Sequence, residues 1–413
     1  MKTPLAIQGG SKIREGKNFP AWPVYGNGEA EALVRTLKSG AWGIGGTETE
    51  KFEKSFAEYQ HCKYCVTMVN GSLTLRNALL ACGIPEGSEV IVPPYTFLAT
   101  VTSVIEANCV PVFADIDPDT YCIDPREIEK AITPRTKAII PVHVGGHPAA
   151  MDEIMDIARR HGLFVIEDCA HAHGSEYKGR RVGSVGDIGS FSFQSSKNLC
   201  CGEGGAIVSN NERLAEMCWS IQNCGRTRTG AWYHHEHLGS NYRLSQFQAA
   251  ILNEQIKKLD AETERRERNA AYLNEKLSAI PGIRPLARKN EATRVAYHLY
   301  LFRYDSEIFD GIPRKLFLDA LKAEGIPVAE GYSTLIYKQP FMQKKEFATF
   351  NEWKHTNEGL DYSRTICPVA EKAAEKEGCW MHHAVLLGTR EDMDDIVNAV
   401  SKVYENRKQL ITK

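Results

Sequence analysis

Two residues stand out by their type and position. The apolar run Leu163-Phe164-Val165-Ile166 leads into Glu167 and Asp168, and a second, strand-like run, residues 188–193, stops just short of Ser195, Ser196 and Lys197. Short continuous apolar runs read as buried parallel strands. An acid and a lysine therefore leave the carboxyl ends of strands, where open α/β sheets hold their ligands. A lysine there can condense with an aldehyde, and an aspartate nearby can keep a pyridine nitrogen protonated. Together they suit pyridoxal 5'-phosphate, whose ring acts as an electron sink. On periodicity alone, a helix-capping Asp168 and a solvated Lys197 explain the pattern equally well.

A candidate anion cradle lies upstream. Asn70-Gly71-Ser72-Leu73-Thr74-Leu75 follows one expected strand and opens an expected helix. Gly71 permits close approach, and the N–H groups of Ser72 and Leu73 are expected to point at a phosphate. A glycine turn before a helix is common, so this motif alone is weak.

These residues need a scaffold. Strand patterns fall at 64–69, 89–92, 110–114, 138–144, 163–168, 188–193 and 206–209, and helical patterns at 75–82, 99–107, 125–131 and 151–161 separate many of them. Alternation of this kind predicts a mostly parallel sheet of seven strands covered on both faces, an α/β architecture. Ahead of it, residues 1–50 read as an arm with a short helix at 29–39, and 50–60 as a further helix. Residues 244–277 form a long, charged helical stretch. Beyond it, a strand pattern at 297–304 and amphipathic helices at 314–324 and 390–407 predict a smaller α+β domain. The expected division is 1–50 arm, 51–260 large domain and 261–413 small C-terminal domain.

Composition narrows the classes. The 413 residues carry 50 Lys plus Arg against 52 Asp plus Glu, a net charge of −2, which gives no basic field for nucleic acid. No apolar stretch approaches a membrane span and the N-terminus lacks a signal-peptide core, so a cytoplasmic location is the default expectation. The 12 cysteines are scattered, as suits reduced thiols. Cys62-x-x-Cys65 has no second pair, and His234, His235 and His237 share one loop without a patterned partner, so no metal is expected.

The stretch GDIGSFSFQSSK, residues 186–197, followed by Gly202-Glu203-Gly204-Gly205, resembles the DegT/StrS family of pyridoxal-phosphate-dependent aminotransferases acting on keto-sugars and keto-cyclitols. The resemblance runs from about Phe19 to Leu387. It implies fold type I, a homodimer with shared active sites, and Lys197 and Asp168 as catalytic residues. It further implies that Gly71, Ser72, Leu73 and Ser192 hold the cofactor phosphate, with Asn241 reaching it from the partner subunit. Phe97, in Pro93-Pro94-Tyr95-Thr96-Phe97, matches an aromatic that stacks on the ring. His171 stands where most members carry a glutamine contacting the cofactor 3'-oxygen; a histidine there titrates near neutral pH, which leaves its role open. His298 and Tyr332 fall where the C-terminal domain nears the site, whereas His143 and His173 read as structural.

Residues 121–125, 137–143, 164–170, 239–252 and 382–387 resemble the branch containing glutamine:scyllo-inosose and 2-deoxy-scyllo-inosose aminotransferases. The implied reaction moves nitrogen from L-glutamine or L-glutamate to a ketone. FPAWP, AHAHG and FSFQ also resemble 3-amino-5-hydroxybenzoate synthase, which uses the cofactor for dehydration and aromatisation. A non-catalytic cofactor-binding regulator is the third alternative, against which an intact Lys197 counts.

Overall fold

The computed structural model describes residues 4–345 and 361–411. Seven strands, Tyr64–Met68 (β1), Glu89–Val92 (β2), Val110–Phe113 (β3), Thr136–Ile139 (β4), Phe164–Asp168 (β5), Ile188–Ser192 (β8) and Gly205–Ser209 (β9), form one sheet in the order β1-β9-β8-β5-β4-β2-β3. Only β9 runs against its neighbours, so the sheet is mostly parallel as expected. β5 lies beside β8 with Asp168 opposite Ser190, which sets the acid and the approach to Lys197 on adjacent strand ends.

The expected strand at 138–144 is displaced: β4 covers Thr136–Ile139. Beyond β4, Ile140 and Val142 remain buried, Pro141 has no N–H to donate, and pairing with β5 continues only as an isolated bridge between Val142 and Asp168.

Helices Asn27–Ser39 (α1), Glu48–Tyr59 (α2), Gly71–Ala81 (α3), Leu98–Glu106 (α4), Pro125–Ala131 (α5), Met151–His161 (α6) and Glu212–Gln222 (α7) accompany this sheet. Asn70 caps α3 by accepting the N–H of Leu73 at 2.9 Å. Under the end of β8, Phe52, Phe56, Phe191 and Phe193 pack with ring centroids 5.0–5.4 Å apart. Burial of each such ring contributes about 1.5–3 kcal/mol, and edge-on contacts add to this, so the strand leading to Lys197 has a rigid footing.

Helix Gln246–Ser278 (α8) starts with Ser245 and Gln248 capping one another's backbone N–H groups. Its Leu252 and Leu259 join the core around the large sheet, while Leu273 and Leu277 join a second core. That second core lies against an antiparallel sheet of Ile283–Pro285 (β10), Leu299–Tyr304 (β12), Gly378–His382 (β14) and Val328–Ala329 (β13), and includes residues of helices Arg314–Ala323 (α9) and Arg390–Glu405. Glu176–Tyr177 (β6), Arg180–Arg181 (β7) and Ala292–Arg294 (β11) make a small third sheet. Leu335, Tyr337, Tyr362, Cys367 and Ala374 return to the first core. There Tyr362 donates its hydroxyl to the Pro111 carbonyl at 2.8 Å. No helix among the described residues is long and apolar enough to cross a membrane.

Candidate active site

A cavity of about 1150 Å³ opens at the carboxyl ends of β5 and β8 and is closed on its far side by β13 and β14 residues. Gly71, Ser72, Phe97, Asp168, His171, Ser192 and Lys197 all line it. Residues up to 126 positions apart in sequence thus share one wall. Leu73 and Asn241 do not line it. His298 and Tyr332 do, the latter with its ring edge-on to Trp380 at 4.9 Å.

Lys197 is half-buried, and its amine makes no hydrogen bond or ion pair among the described residues. Burial pushes the amine down to about 8, with the opposing charge of Asp168 too weak to restore it. The neutral amine is then an appreciable minority near physiological pH, far more than for an ordinary lysine.

Asp168 is buried and its carboxyl is pushed above the usual range by that burial, partly offset by its hydrogen bonds. Oδ2 accepts the Thr100 hydroxyl at 2.8 Å and Oδ1 accepts the Ala170 N–H at 3.1 Å. Because Thr100 gives its proton to the carboxylate, Thr96, 2.9 Å away, must donate to Thr100. Sequence reading missed Thr100. The available signal was the four-residue spacing between Thr96, just before Phe97, and Thr100 in the first turn of α4.

The tautomers of the cavity histidines follow from their partners. His171 Nδ1 accepts the Gly145 N–H at 3.4 Å, so Nε2 carries the proton of the neutral ring. Burial, and then the Lys197 charge, holds His171 well below its ordinary value, so the ring is neutral at physiological pH. The concern that it titrates near neutrality is removed: it stays a donor. His298 packs on it at 4.4 Å and gives its Nδ1 proton to Asn198 Oδ1 at 3.0 Å. The Asn198 amide is fixed by its own donation to the Ala296 carbonyl at 2.8 Å, leaving His298 Nε2 an acceptor.

At the start of α3, the cap removes one expected donor. The Leu73 N–H is taken by Asn70, so the expectation that it faces an anion is corrected. The N–H groups of Gly71 and Ser72 have no partner among the described residues. A Cβ on Gly71 would sit 2.6 Å from Ser192 Cβ, which only glycine avoids. Phe97, just before α4, is 59% exposed at the mouth of the cavity. Asn241 is exposed, its side chain accepting only the Arg243 N–H at 3.5 Å.

The remaining clusters have structural partners. Glu167 accepts the N–H groups of Gly183, Val185 and Gly186 at 2.7–2.9 Å and faces His143 Nε2 at 3.0 Å. His143 Nδ1 accepts the Ala149 N–H, so Nε2 donates to Glu167. Cys169 lies close to this pair, but both oxygens of Glu167 are already engaged. Cys62 and Cys65 are free thiols, and burial pushes Cys62 up to about 12. His234, His235 and His237 turn to different partners: Glu236, the Cys224 carbonyl and Ser220.

Comparison with known proteins adds the chain's relationships to this geometry. Residues 24–401 match the DegT/DnrJ/EryC1/StrS aminotransferase family, and the chain belongs to it. It is an aminotransferase of fold type I, from a family that uses pyridoxal phosphate. Among its relatives is the L-glutamine:2-deoxy-scyllo-inosose aminotransferase of Streptoalloteichus tenebrarius, 39% identical over 433 residues, covering 99% of this chain and 100% of the relative. The crystal structure of 3-amino-5-hydroxybenzoic acid synthase is similar at a TM-score of 0.83 and 31% identity, over 94% of this chain and 98% of that one. NtdA of Bacillus subtilis, solved with bound cofactor PMP, is similar at a TM-score of 0.79 and 28% identity, over 95% and 87%.

Proposed function

We propose that this chain transfers an amino group from L-glutamine or L-glutamate to a keto-cyclitol or keto-sugar of the scyllo-inosose class, with pyridoxal 5'-phosphate bound through Lys197. One observation carries the reading: an unpartnered lysine amine, lowered to about 8, shares a cavity with a buried carboxylate in a chain 39% identical to an enzyme of that name.

The residues present fit the cofactor. The lysine has no competing partner, the acid has room on the cavity side, and the Gly71 turn lies flush with Ser192 where any side chain would clash. Gly71 and Ser72 N–H groups and the Ser192 hydroxyl would hold the phosphate, and Phe97 would cover a ring face. When bound, pyridoxal phosphate supplies the electron sink for breaking the α-C–H bond of the donor. Asp168 would hold the proton on the pyridine nitrogen, itself kept in place by Thr100 and Ala170. Lys197, freed by the incoming amine, would take a proton from carbon and return it one step later, a task suited to an amine near 8. The neutral His171 would give its Nε2 proton to a ring oxygen without changing charge.

Asn241 is exposed and does not line its own chain's cavity, which supports a homodimer in which it completes the partner's site. A mixed dimer of Lys197→Ala and Asn241→Ala subunits tests this. Across-subunit completion leaves one site with both residues intact, so activity should recover to about half of wild type per dimer, since half the sites are whole. No recovery above either parent would assign Asn241 to its own subunit. Residues 51–260 and 261–413 are taken as large and small domains, a division supported by the two cores, with residues of 335–342 and 362–374 joining the first.

The test of function is direct. Protein supplied with pyridoxal phosphate, L-glutamine and scyllo-inosose should form the amino-cyclitol, detected by mass. Dehydration of an unsaturated cyclic amino keto-acid to an aminohydroxybenzoate, without amino-cyclitol, would favour the second reading, which the likeness to 3-amino-5-hydroxybenzoic acid synthase supports. The higher identity to the aminotransferases favours the first.

A further inference from the structure

The two carbonyls that precede Lys197 are held from outside their own sheet. Trp22, on the N-terminal arm, donates its indole N–H to the Ser195 carbonyl at 3.0 Å. His382 and His383, at the end of β14, both place Nε2 on the Ser196 carbonyl, at 3.2 and 2.9 Å. His382 Nδ1 accepts the Ala384 N–H, so its Nε2 carries the proton and donates. Burial holds His383 well below its ordinary value, so that ring is neutral, and its Nε2 must also be the donor. One carbonyl has two lone pairs, and here both are used. Trp22 meets His383 edge-on at 4.4 Å, and the two histidine rings lie 4.1 Å apart, so the three donors form one packed unit.

This unit is costly to keep. Among the described residues, the fully buried His383 has no partner for Nδ1, and the fully buried Arg266, whose charge acts on both histidines, has none for Nε and Nη1 beneath Trp22. Packing alone is better served by apolar rings at these positions. The geometry explains the donors instead. Gln194 closes the turn from within, taking the Ser196 N–H at 2.8 Å and, through its carbonyl, the Lys197 N–H at 2.8 Å. Those N–H groups lie in the same peptide planes as the Ser195 and Ser196 carbonyls, so Gln194 holds one edge of each plane and the outside donors hold the other.

We propose that Trp22, His382 and His383 are positioning residues for Lys197: they turn the two preceding carbonyls away from its amine and fix the backbone from which it reaches the cavity. The proposal rests on the assignment of Lys197 to amino transfer. With the outside donors gone, Gln194 alone holds the plane, and the Ser196 carbonyl can tilt toward the amine and accept a hydrogen bond from its charged form, which favours protonation. The lysine turn is thereby tied to the arm and to the C-terminal sheet at once, so its amine is correctly placed only when both are seated.

The test uses the full chain in two measurements. Before cofactor is added, titration of the Lys197 amine, followed by NMR of the isotopically labelled lysine, should show His383→Phe binding the proton about tenfold more tightly than wild type, one unit of pH. Asp168, His171, His173, His298 and His382 are the titratable neighbours acting on or beside that amine, and they are unchanged in the variant. With cofactor, kcat for amino transfer should fall about tenfold while KM for L-glutamine stays within about twofold. His383→Gln, whose amide can still donate, should restore both. Trp22→Phe, on the half-buried arm, should move both in the same direction without endangering the fold. An amine titration unchanged in His383→Phe and Trp22→Phe would overturn the proposal, even if stability fell. The titration does not require nitrogen transfer, so a shifted amine in a protein without transaminase activity would uphold the clamp and overturn only the functional reading.

Discussion

Lys197→Met is expected to abolish amino transfer and to stabilise the protein before cofactor is added. With Lys197 as proton carrier, loss of its amine should lower turnover on the order of 10⁴-fold, the upper range for a positioned acid–base group. The same change removes a burial cost. The amine binds its proton less tightly in the folded protein, about 8, than at the ordinary 10.5, so the unfolded chain holds more protons between those values. The penalty is complete below about pH 8 and fades as pH rises toward 10.5. Water in the cavity screens part of it, so the expected gain is about 1–2 kcal/mol at pH 7, shrinking toward zero at pH 10. Denaturant unfolding at the two pH values measures this. Turnover near the wild-type rate in the variant would remove Lys197 from the reaction, and equal stability at pH 7 would mean that the cavity does not depress its amine.

The contrast between gain and loss is that of a functional site, where a group is kept against local stability. It also marks what sequence could reveal. Both strand ends were legible, because Leu163 to Ile166 is apolar throughout, Ile188 to Phe193 alternates Ser with Phe, and both stop at polar groups. Helices α5 and α6 were legible because Asp124 caps the one and Gly162 ends the other. Strand direction was not: nothing in Gly205–Ser209 distinguishes an antiparallel strand from a parallel one when both faces are buried. Strands of two or three residues, such as β6, β7, β10 and β13, are too short to show a period.

The site divides along the same line. Asp168, Lys197, Gly71 and Ser72, which line the cavity, could be singled out because each sits at a strand or helix end. Thr100, Asn198, Trp22, His382 and His383 were not found as parts of the site, although the HHAVLL segment was noted as a family likeness. Each acts through a partner far along the chain, and only the packing of β14 and the arm against the Ser195–Ser196 turn brings them together. The cap of Asn70 shows the opposite error: a local rule, applied at Leu73, reserves the N–H that a ligand argument had assigned elsewhere.

Asp168→Asn should be the second most damaging change, and it should spare folding and cofactor retention. Asparagine has the same shape. Its Oδ1 can still accept from Thr100 or from Ala170, while its amide must face the other donor. That mismatch is local, and burial of a neutral group is cheaper than burial of the carboxylate, whose pKa the protein already pushes upward. What the amide lacks is charge. A protonated pyridine nitrogen beside it has no counter-ion in a water-poor site, so the nitrogen loses its proton and the ring loses most of its capacity to take up electrons. The expected result is turnover lower by about 10²–10³-fold, the cost of removing one preorganised electrostatic group. Cofactor should remain bound, because Lys197 and the Gly71–Ser72 turn are untouched. Thr100→Val separates charge from orientation: the carboxylate stays but loses its 2.8 Å donor, so turnover should fall by only about tenfold. Side-by-side rates of the two variants at saturating pyridoxal phosphate decide the matter. If Asp168→Asn were no slower than Thr100→Val, the carboxylate would be positioning the site through its hydrogen bonds, and its charge would not be what the reaction uses.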